Sequence, residues 1–124
     1  MKSHEEWLFK AEHDLLSSKK LIEGDNPLLD TAIYHTQQCA EKALKAFLCF
    51  SKNPLVKTHD LNELVKMCTD IDPEFEKLFD YVEELNPYST TFRYPAYIME
   101  PEYLDVSSAI NYAEKIFTFV KEKI

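Results

Sequence analysis

Four polar side chains suited to phosphate binding recur at helical spacing in the first half of the chain. His35, Gln38, Lys42 and Lys45 follow one another every three or four residues, which places them on one side of a helix. Their imidazole, amide and ammonium groups are donors that match a phosphate or the edge of a nucleobase. The same strip, flanked by Glu41, is also typical of the solvated back of an amphipathic helix. Spacing alone leaves both interpretations open.

A second polar run, Lys57-Thr-His-Asp-Leu61, precedes a predicted helix. Unpaired backbone N–H groups and the helix dipole attract anions at such a position, and His59 adds a further donor. The alternative is structural: Thr58 caps the helix, while His59 and Asp60 form local hydrogen bonds. Both interpretations fit the run.

Arg93 is the only arginine, against thirteen lysines. A guanidinium can grip a phosphate or a carboxylate with two hydrogen bonds while stacking on an aromatic ring. The surrounding segment supplies such rings: Tyr88, Phe92, Tyr94 and Tyr97. This setting predicts either a phosphate contact, with Tyr94 as a stacking surface, or an ion pair that holds the segment onto the rest of the molecule.

Asp14 is the expected structural charge partner of one of these cations. It lies at the edge of the apolar stripe of the first predicted helix, where a carboxylate is costly unless it is paired. Lys42, Lys45 and Arg93 are the candidate partners. The alternative is that Asp14 lies just outside the core and is solvated.

Composition limits the possible partners. The net charge is −8, so the chain is repelled at long range by a phosphate backbone, and strong binding to duplex DNA is not expected. No apolar run reaches the roughly 20 residues that span a bilayer, and the charged N-terminus does not resemble a secretory signal. Three cysteines without Cys-x-x-Cys spacing are typical of reduced thiols in a cytoplasmic protein.

No cofactor or metal is predicted. The chain contains no Glu-x-x-His pair for a di-metal bundle site, and its cysteines and histidines lack zinc-binding spacing. A glycine-rich phosphate loop is excluded because the 124 residues contain a single glycine, Gly24.

That scarcity of glycine favours an all-α chain, and the apolar periodicity agrees with it. Helices are predicted over about 3–23, 28–50 and 101–123, with shorter ones after Thr58 and after Asp72. Ser3 and Glu6 form an expected capping box, and Asp72-Pro73 an expected N-cap with proline at the first helical position.

Residues 88–99 are expected to form a packed loop within a single domain, 1–124. The predicted buried stripe of the second helix consists of small residues and two phenylalanines: Ala32, Ile33, Thr36, Cys39, Ala40, Ala43, Phe47 and Phe50.

Three segments together resemble the HEPN (higher eukaryotes and prokaryotes nucleotide-binding) domain. They are the His-x-x-Gln-x-x-Glu-Lys-x-x-Lys pattern over 35–45, the run 57–61 and the Arg-Tyr-Pro run 93–95. The opening Trp-x-x-x-Ala-x-x-Asp-Leu pattern over 7–15 also resembles the first helix of that family. The resemblance implies an up-and-down bundle of four main helices plus a short extra helix, and a homodimer. It also implies a minimal nucleotidyltransferase as partner in a two-component module of toxin–antitoxin type.

The resemblance does not carry catalysis over to this chain. Many family members are metal-independent ribonucleases with an arginine followed, after four to six residues, by a histidine. Here no histidine follows Arg93. The leading expectation is therefore a non-catalytic protein that binds a nucleotide or RNA phosphate through Lys42, Lys45, His59 and Arg93.

Two other functions stay open. One is a degenerate ribonuclease that uses His35 or His59. The other is a structural dimerisation module, in which aromatic and aliphatic residues at seven-residue spacing form the contact; these are Phe9 and Leu16 on the first helix and Tyr112 and Phe119 on the last.

Overall fold

Five α-helices make up most of the described part of the chain. The computed structural model describes residues 2–53, 57–95 and 99–124. The helices are α1 (Ser3–Leu21), α2 (Leu29–Phe50), α3 (Leu61–Ile71), α4 (Phe79–Leu85) and α5 (Tyr103–Lys123). Two 3₁₀ helices, Pro73–Leu78 and Asn86–Ser89, flank α4. The described residues contain no β-strand, so the all-α prediction is confirmed.

The second helix is the centre of the bundle. α1 and α5 pack along it, and α3, α4 and the second 3₁₀ helix also contact it. Its small side chains at positions 32, 40 and 43 are fully buried, which lets the neighbouring helices approach closely. Phe47 is buried as predicted, whereas Phe50 is 42% exposed because it lies at the last residue of α2, beyond most of the packing. The predicted stripe is therefore correct except at its end.

α1 begins at Ser3 as predicted, but its predicted capping box and its predicted end are wrong. Lys2 is the N-cap and no side chain caps it; Ser3 is already helical, so its hydroxyl cannot act in the expected capping box with Glu6. The helix ends at Leu21, two residues earlier than predicted. Gly24 follows with φ +81°, in the left-handed region that glycine adopts without strain, and turns the chain toward α2.

The cap of α3 is Asp60, and not Thr58 as expected. The Asp60 carboxylate accepts a hydrogen bond from the Asn62 N–H at 2.9 Å, while the Thr58 hydroxyl accepts one from the Asp60 N–H at 3.1 Å. Thr58 thus forms a turn one step before the helix. Asn86, in the second 3₁₀ helix, accepts a hydrogen bond from the Leu61 N–H at 2.8 Å and ties the two segments together.

Asp72 caps the next segment, as predicted. Its carboxylate accepts a hydrogen bond from the Glu74 N–H at 3.0 Å, and Pro73 takes the first helical position. The segment begins as a 3₁₀ helix and becomes α-helical only at Phe79. Three residues per turn place Phe75 and Leu78 one above the other, and both are buried.

An ion pair joins this segment to the end of α5. Lys123 Nζ lies 2.8 Å from Asp72 Oδ2. The hydrogen bond from Lys123, together with the Glu74 N–H, lowers the pKa of Asp72, and the same contact raises the pKa of Lys123. The pair therefore stabilises the fold at neutral pH, and its contribution is lost when Asp72 is protonated in acid or when Lys123 is deprotonated in strong base.

The loop after α4 is packed only in part: Tyr88 and Phe92 are half-buried, whereas Arg93, Tyr94, Pro95 and Met99 are exposed. Tyr88 and Phe92 stack with ring centroids 6.2 Å apart, and both pack against the core. Phe92 has φ 69°, which makes the turn that brings Arg93 back toward α2. Residues 96–98, including Tyr97, lie outside the described residues.

The four residues considered for a dimer contact differ in their surroundings. Tyr112 stacks on Tyr81 at 5.4 Å, and Phe119 meets the edge of Phe75 at 5.0 Å, so both belong to the periphery of the core. Phe9 and Leu16 are about half exposed on α1. Among the helices that the structure describes, none is both long and apolar enough to cross a membrane.

Candidate functional site

Asp14 is the centre of the first of two polar clusters between α1 and α2. It is buried, and its two carboxylate oxygens bind different partners: His35 Nδ1 at 2.7 Å and Lys42 Nζ at 2.7 Å. Because a carboxylate only accepts hydrogen bonds, Nδ1 carries the proton and the opposite ring nitrogen, Nε2, is left for another partner. The His35 side chain is 27% exposed, so the imidazole links the buried carboxylate to the surface.

An aromatic ring lies between Arg93 and this cluster. Its guanidinium carbon is 3.7 Å from the centroid of the Tyr34 ring, a stacking distance, and that ring meets His35 edge-on at 5.6 Å. Arg93 is exposed and forms no ion pair within the described part of the chain. The alternative of a salt bridge to Asp14 is not what the structure contains. Stacking on Tyr34 holds the arginine in place, and none of the described side chains accepts a hydrogen bond from its guanidinium.

Glu41 is the centre of the second cluster. Its Oε2 accepts hydrogen bonds from Lys45 Nζ at 3.0 Å and from His59 Nδ1 at 2.9 Å. The side chains of Glu41 and Lys45 are only 4% and 7% exposed, whereas His59 is 74% exposed. Lys45 also lies over the Trp7 ring, 5.7 Å from its centroid, so this cluster joins α1, α2 and the segment before α3.

The two clusters share one plan. In each, a buried carboxylate binds the Nδ1 of a histidine and the ammonium group of a lysine from α2. Gln37 and Gln38 tie α2 to the segment that carries His59: the Gln38 amide donates to Gln37 Oε1 at 2.8 Å, and Gln37 donates to the His59 carbonyl at 3.3 Å. The polar strip of α2 is therefore not a solvated helix back, because α1 and the segment before α3 cover it.

Lys42 and Lys45 differ most from what the sequence predicts, which is that their ammonium groups face a phosphate ligand. Both ammonium groups, of Lys42 and of Lys45, are bound by carboxylates, and Lys45 is buried as well. Their direct contact with a phosphate stays a prediction. Each ammonium group has three N–H donors, and its carboxylate partner occupies one of them. Arg93 keeps its guanidinium donors, His35 and His59 each keep the ring nitrogen Nε2 for a further partner, and Tyr94 is 56% exposed beside Arg93.

Sequence reasoning missed Tyr34 and Gln37. Neither belongs to the 35–45 spacing pattern, and the stacking of Tyr34 under Arg93 joins residues far apart in the chain. The tyrosine directly before His35 could have indicated a partner for Arg93, because arginine often stacks on aromatic rings such as that of tyrosine.

No metal site is evident in the described ranges: they contain no group of three or more His, Cys, Asp or Glu side chains placed to hold an ion. Burial raises the pKa of the Cys68 thiol to about 12, and burial, together with the nearby charge of Asp14, also raises the pKa of the Cys39 thiol. Both thiols are therefore protonated and poor nucleophiles at neutral pH.

The fold and the clusters define a class: an antiparallel helical bundle whose central helix carries a carboxylate-bound polar strip beside an arginine from the loop after α4. The HEPN domain family model matches residues 4–123, nearly the whole chain, and the protein belongs to this family. A comparison with curated proteins finds no match.

Two solved structures resemble the whole chain. The crystal structure of TT1696 from Thermus thermophilus is 29% identical, covers 100% of both chains and superposes with a TM-score of 0.79. The crystal structure of ST0689, an archaeal HEPN homologue, is also 29% identical, covers 99% of this chain and 98% of its own, and has a TM-score of 0.76. The resemblance therefore extends over the bundle as a whole.

Proposed function

We propose that the protein binds the phosphate of a nucleotide or RNA at the surface formed by Tyr34, His35 and Arg93. One observation carries the proposal: the only arginine of the chain is stacked on Tyr34 at 3.7 Å and exposed, beside a histidine that a buried carboxylate orients. A stacked guanidinium is pre-oriented for two parallel hydrogen bonds to a phosphate.

The rest of the cluster supports this surface. Asp14 fixes the ring of His35, so Nε2 faces away from the carboxylate and is available to a phosphate oxygen when the ring is protonated. Lys42 adds positive charge behind Asp14 and offsets the repulsion between that carboxylate and an anionic ligand. A compact site of this kind is compatible with the net charge of −8, which disfavours long nucleic-acid contacts.

Replacing Arg93 tests the proposal. Arg93→Ala is expected to weaken binding of AMP or of a short RNA at least about tenfold, since it removes hydrogen bonds to a charged group. Arg93→Lys keeps the charge but not the planar fork, and should recover only part of the affinity. Lys66→Ala, which removes the same charge from an exposed position on α3, is the matched control and should bind normally. Isothermal titration calorimetry measures all four proteins; equal affinities in Arg93→Ala and wild type would exclude this surface.

The biological setting is part of the proposal. From family membership we infer a homodimer that pairs with a minimal nucleotidyltransferase in a module of toxin–antitoxin type. Co-expression with a nucleotidyltransferase encoded beside the gene, followed by size-exclusion chromatography with light scattering, tests both associations. Monomer alone at micromolar concentration, with no co-eluting nucleotidyltransferase, would contradict them.

A ribonuclease is the second candidate, and the Asp14–His35 pair favours it. A histidine whose Nδ1 is held by a carboxylate can take the proton of a 2′-hydroxyl at Nε2. Arg93 stacks on Tyr34, the ring next to His35, and its charge would balance the charge that develops on the phosphate. His59, held by Glu41, is an alternative base or acid. Labelled RNA incubated with chelator should stay intact if the protein only binds; cleavage that is lost in His35→Ala or His59→Ala would identify the enzyme.

A further inference from the structure

A groove lies along the first turns of α1, away from Arg93. It has a volume of about 510 Å³ and is lined by Ser3, Glu6, Trp7, Phe9 and Lys10. Most of the accessible surface in the groove belongs to apolar atoms, although three of these residues are polar. This volume is within the range of small-molecule and cofactor sites and is large enough for a nucleobase with its sugar. The candidate phosphate surface does not include any of these residues.

Trp7 is the largest of these lining side chains. It is the only tryptophan of the chain and is partly buried. The Lys45 ammonium group lies over its ring at 5.7 Å, and Lys45 is in turn held by Glu41, so the indole has a fixed neighbour on the α2 side while it lines the groove. A rigid indole beside an open groove is the kind of surface on which nucleobases stack without regard to sequence.

Helix geometry connects this groove to the phosphate surface. Trp7 and Asp14 are seven residues apart on α1 and therefore share one face, with about 10 Å between their α-carbons. On the antiparallel α2, Lys45 lies next to Trp7 of the groove, and Tyr34 lies next to Arg93. Lys45 and Tyr34 are eleven residues apart, which is about 16 Å along the helix. A nucleoside monophosphate cannot reach from one end to the other, whereas a strand of two or more nucleotides can.

We propose that the Trp7 groove is a base-stacking subsite, and that the ligand is a short single strand of RNA with a phosphate at Arg93 and a base on Trp7. The inference rests on the proposed phosphate-binding function and adds to it the length and the path of the ligand. The strand lies along the seam between α1 and α2 and passes the Asp14 cluster. A second copy of this chain is the other possible occupant of an apolar groove, and the experiment distinguishes it.

The single tryptophan gives a direct measurement. Tetraadenylate is expected to quench the emission of Trp7, because a stacked base contacts the indole. AMP, which satisfies only the phosphate end, should bind through Arg93 and leave the emission unchanged. Calorimetry with the same ligands supplies affinities that do not depend on the fluorophore.

Substitutions separate stacking from folding. Trp7→Leu should weaken tetraadenylate about tenfold and leave AMP binding as in wild type, and Trp7→Tyr should restore most of the loss because it keeps an aromatic face. Tyr103→Leu removes an exposed aromatic ring on α5 and is the control, with affinity unchanged. Far-UV circular dichroism and urea midpoints verify that each variant is folded; if Trp7→Leu is not, the quenching of wild type and the affinity of Trp7→Tyr decide.

Four results of these measurements can be told apart. Quenching together with the tenfold loss supports the subsite. Tetraadenylate that binds through Arg93 without quenching, and equally well in Trp7→Leu, overturns the subsite and leaves the proposed function intact. No binding of either AMP or tetraadenylate overturns both. A shift of Trp7 emission with protein concentration alone, matched by self-association in sedimentation, assigns the groove to a second copy and overturns the proposal.

Discussion

Glu41→Gln is expected to lower the free energy of unfolding by about 3 kcal/mol. The substitution keeps the side-chain volume but removes the negative charge that the Lys45 ammonium binds at 3.0 Å. Lys45 is 7% exposed, so water cannot replace the carboxylate without moving the side chain. The cost therefore comes from leaving a buried cation without its partner, which is much larger than the net value of the pair.

A double substitution separates these two quantities. Glu41→Leu combined with Lys45→Met removes both charges, and we expect it to be far less destabilised than Glu41→Gln, because no buried charge remains uncompensated. Urea unfolding followed by circular dichroism measures each variant.

The exposed pair between Lys19 and Glu114 is the control. Its charged atoms are even closer, at 2.7 Å, but the side chains are 40% and 48% exposed, so Glu114→Gln should cost less than about 1 kcal/mol. A loss in Glu41→Gln no greater than the loss in Glu114→Gln would mean that the Glu41 cluster is solvated in solution.

Phe75→Ala is expected to destabilise the protein by about 3–5 kcal/mol. Phe75 has no exposed surface. The centroid of its ring lies 4.3 Å from that of Phe47 on α2 and 5.0 Å from that of Phe119 on α5. It is therefore the residue through which the 3₁₀ segment packs against the two long helices. Truncation removes the apolar surface and leaves a cavity that three separate elements would have to close.

Phe75→Leu retains most of the volume and should lose only a fraction of that stability. Tyr103→Ala removes an equally large ring from an exposed position and should change the free energy of unfolding by no more than about 0.5 kcal/mol. Thermal and urea unfolding of the three variants test the order. If Phe75→Ala were as stable as Tyr103→Ala, the packing of the 3₁₀ segment would have to be revised.

The helices were predictable from the sequence because each signal acts locally. Apolar residues at helical spacing place Leu61, Leu64, Val65 and Cys68 in the core, where all four are buried. Asp72 before Pro73 acts as a cap because the hydrogen bond spans two residues. Other caps were missed, including the capping box of Glu102 and Asp105 at the start of α5, since more than one polar residue stood near each boundary.

The candidate site was predictable only as a set of residues. The 57–61 run contacts the 35–45 pattern through His59 and Glu41, and Arg93 stacks on the tyrosine next to His35. The family that these segments indicate is confirmed. Their partners were not predictable. Asp14 had three candidate cations and took Lys42 together with His35, while Arg93 stacked on Tyr34.

The sequence by itself determined the all-α architecture, the family and the identity of the polar residues that gather on α2. Only the tertiary structure decided that Glu41 and Lys45 are buried, that carboxylates bind both lysines and that none among the described residues binds the arginine. The reason is that a helical wheel describes one helix against one neighbour, whereas α2 is surrounded by several. Which polar side chain is covered, and which cation binds which carboxylate, depends on segments distant in the chain that meet only when the bundle forms.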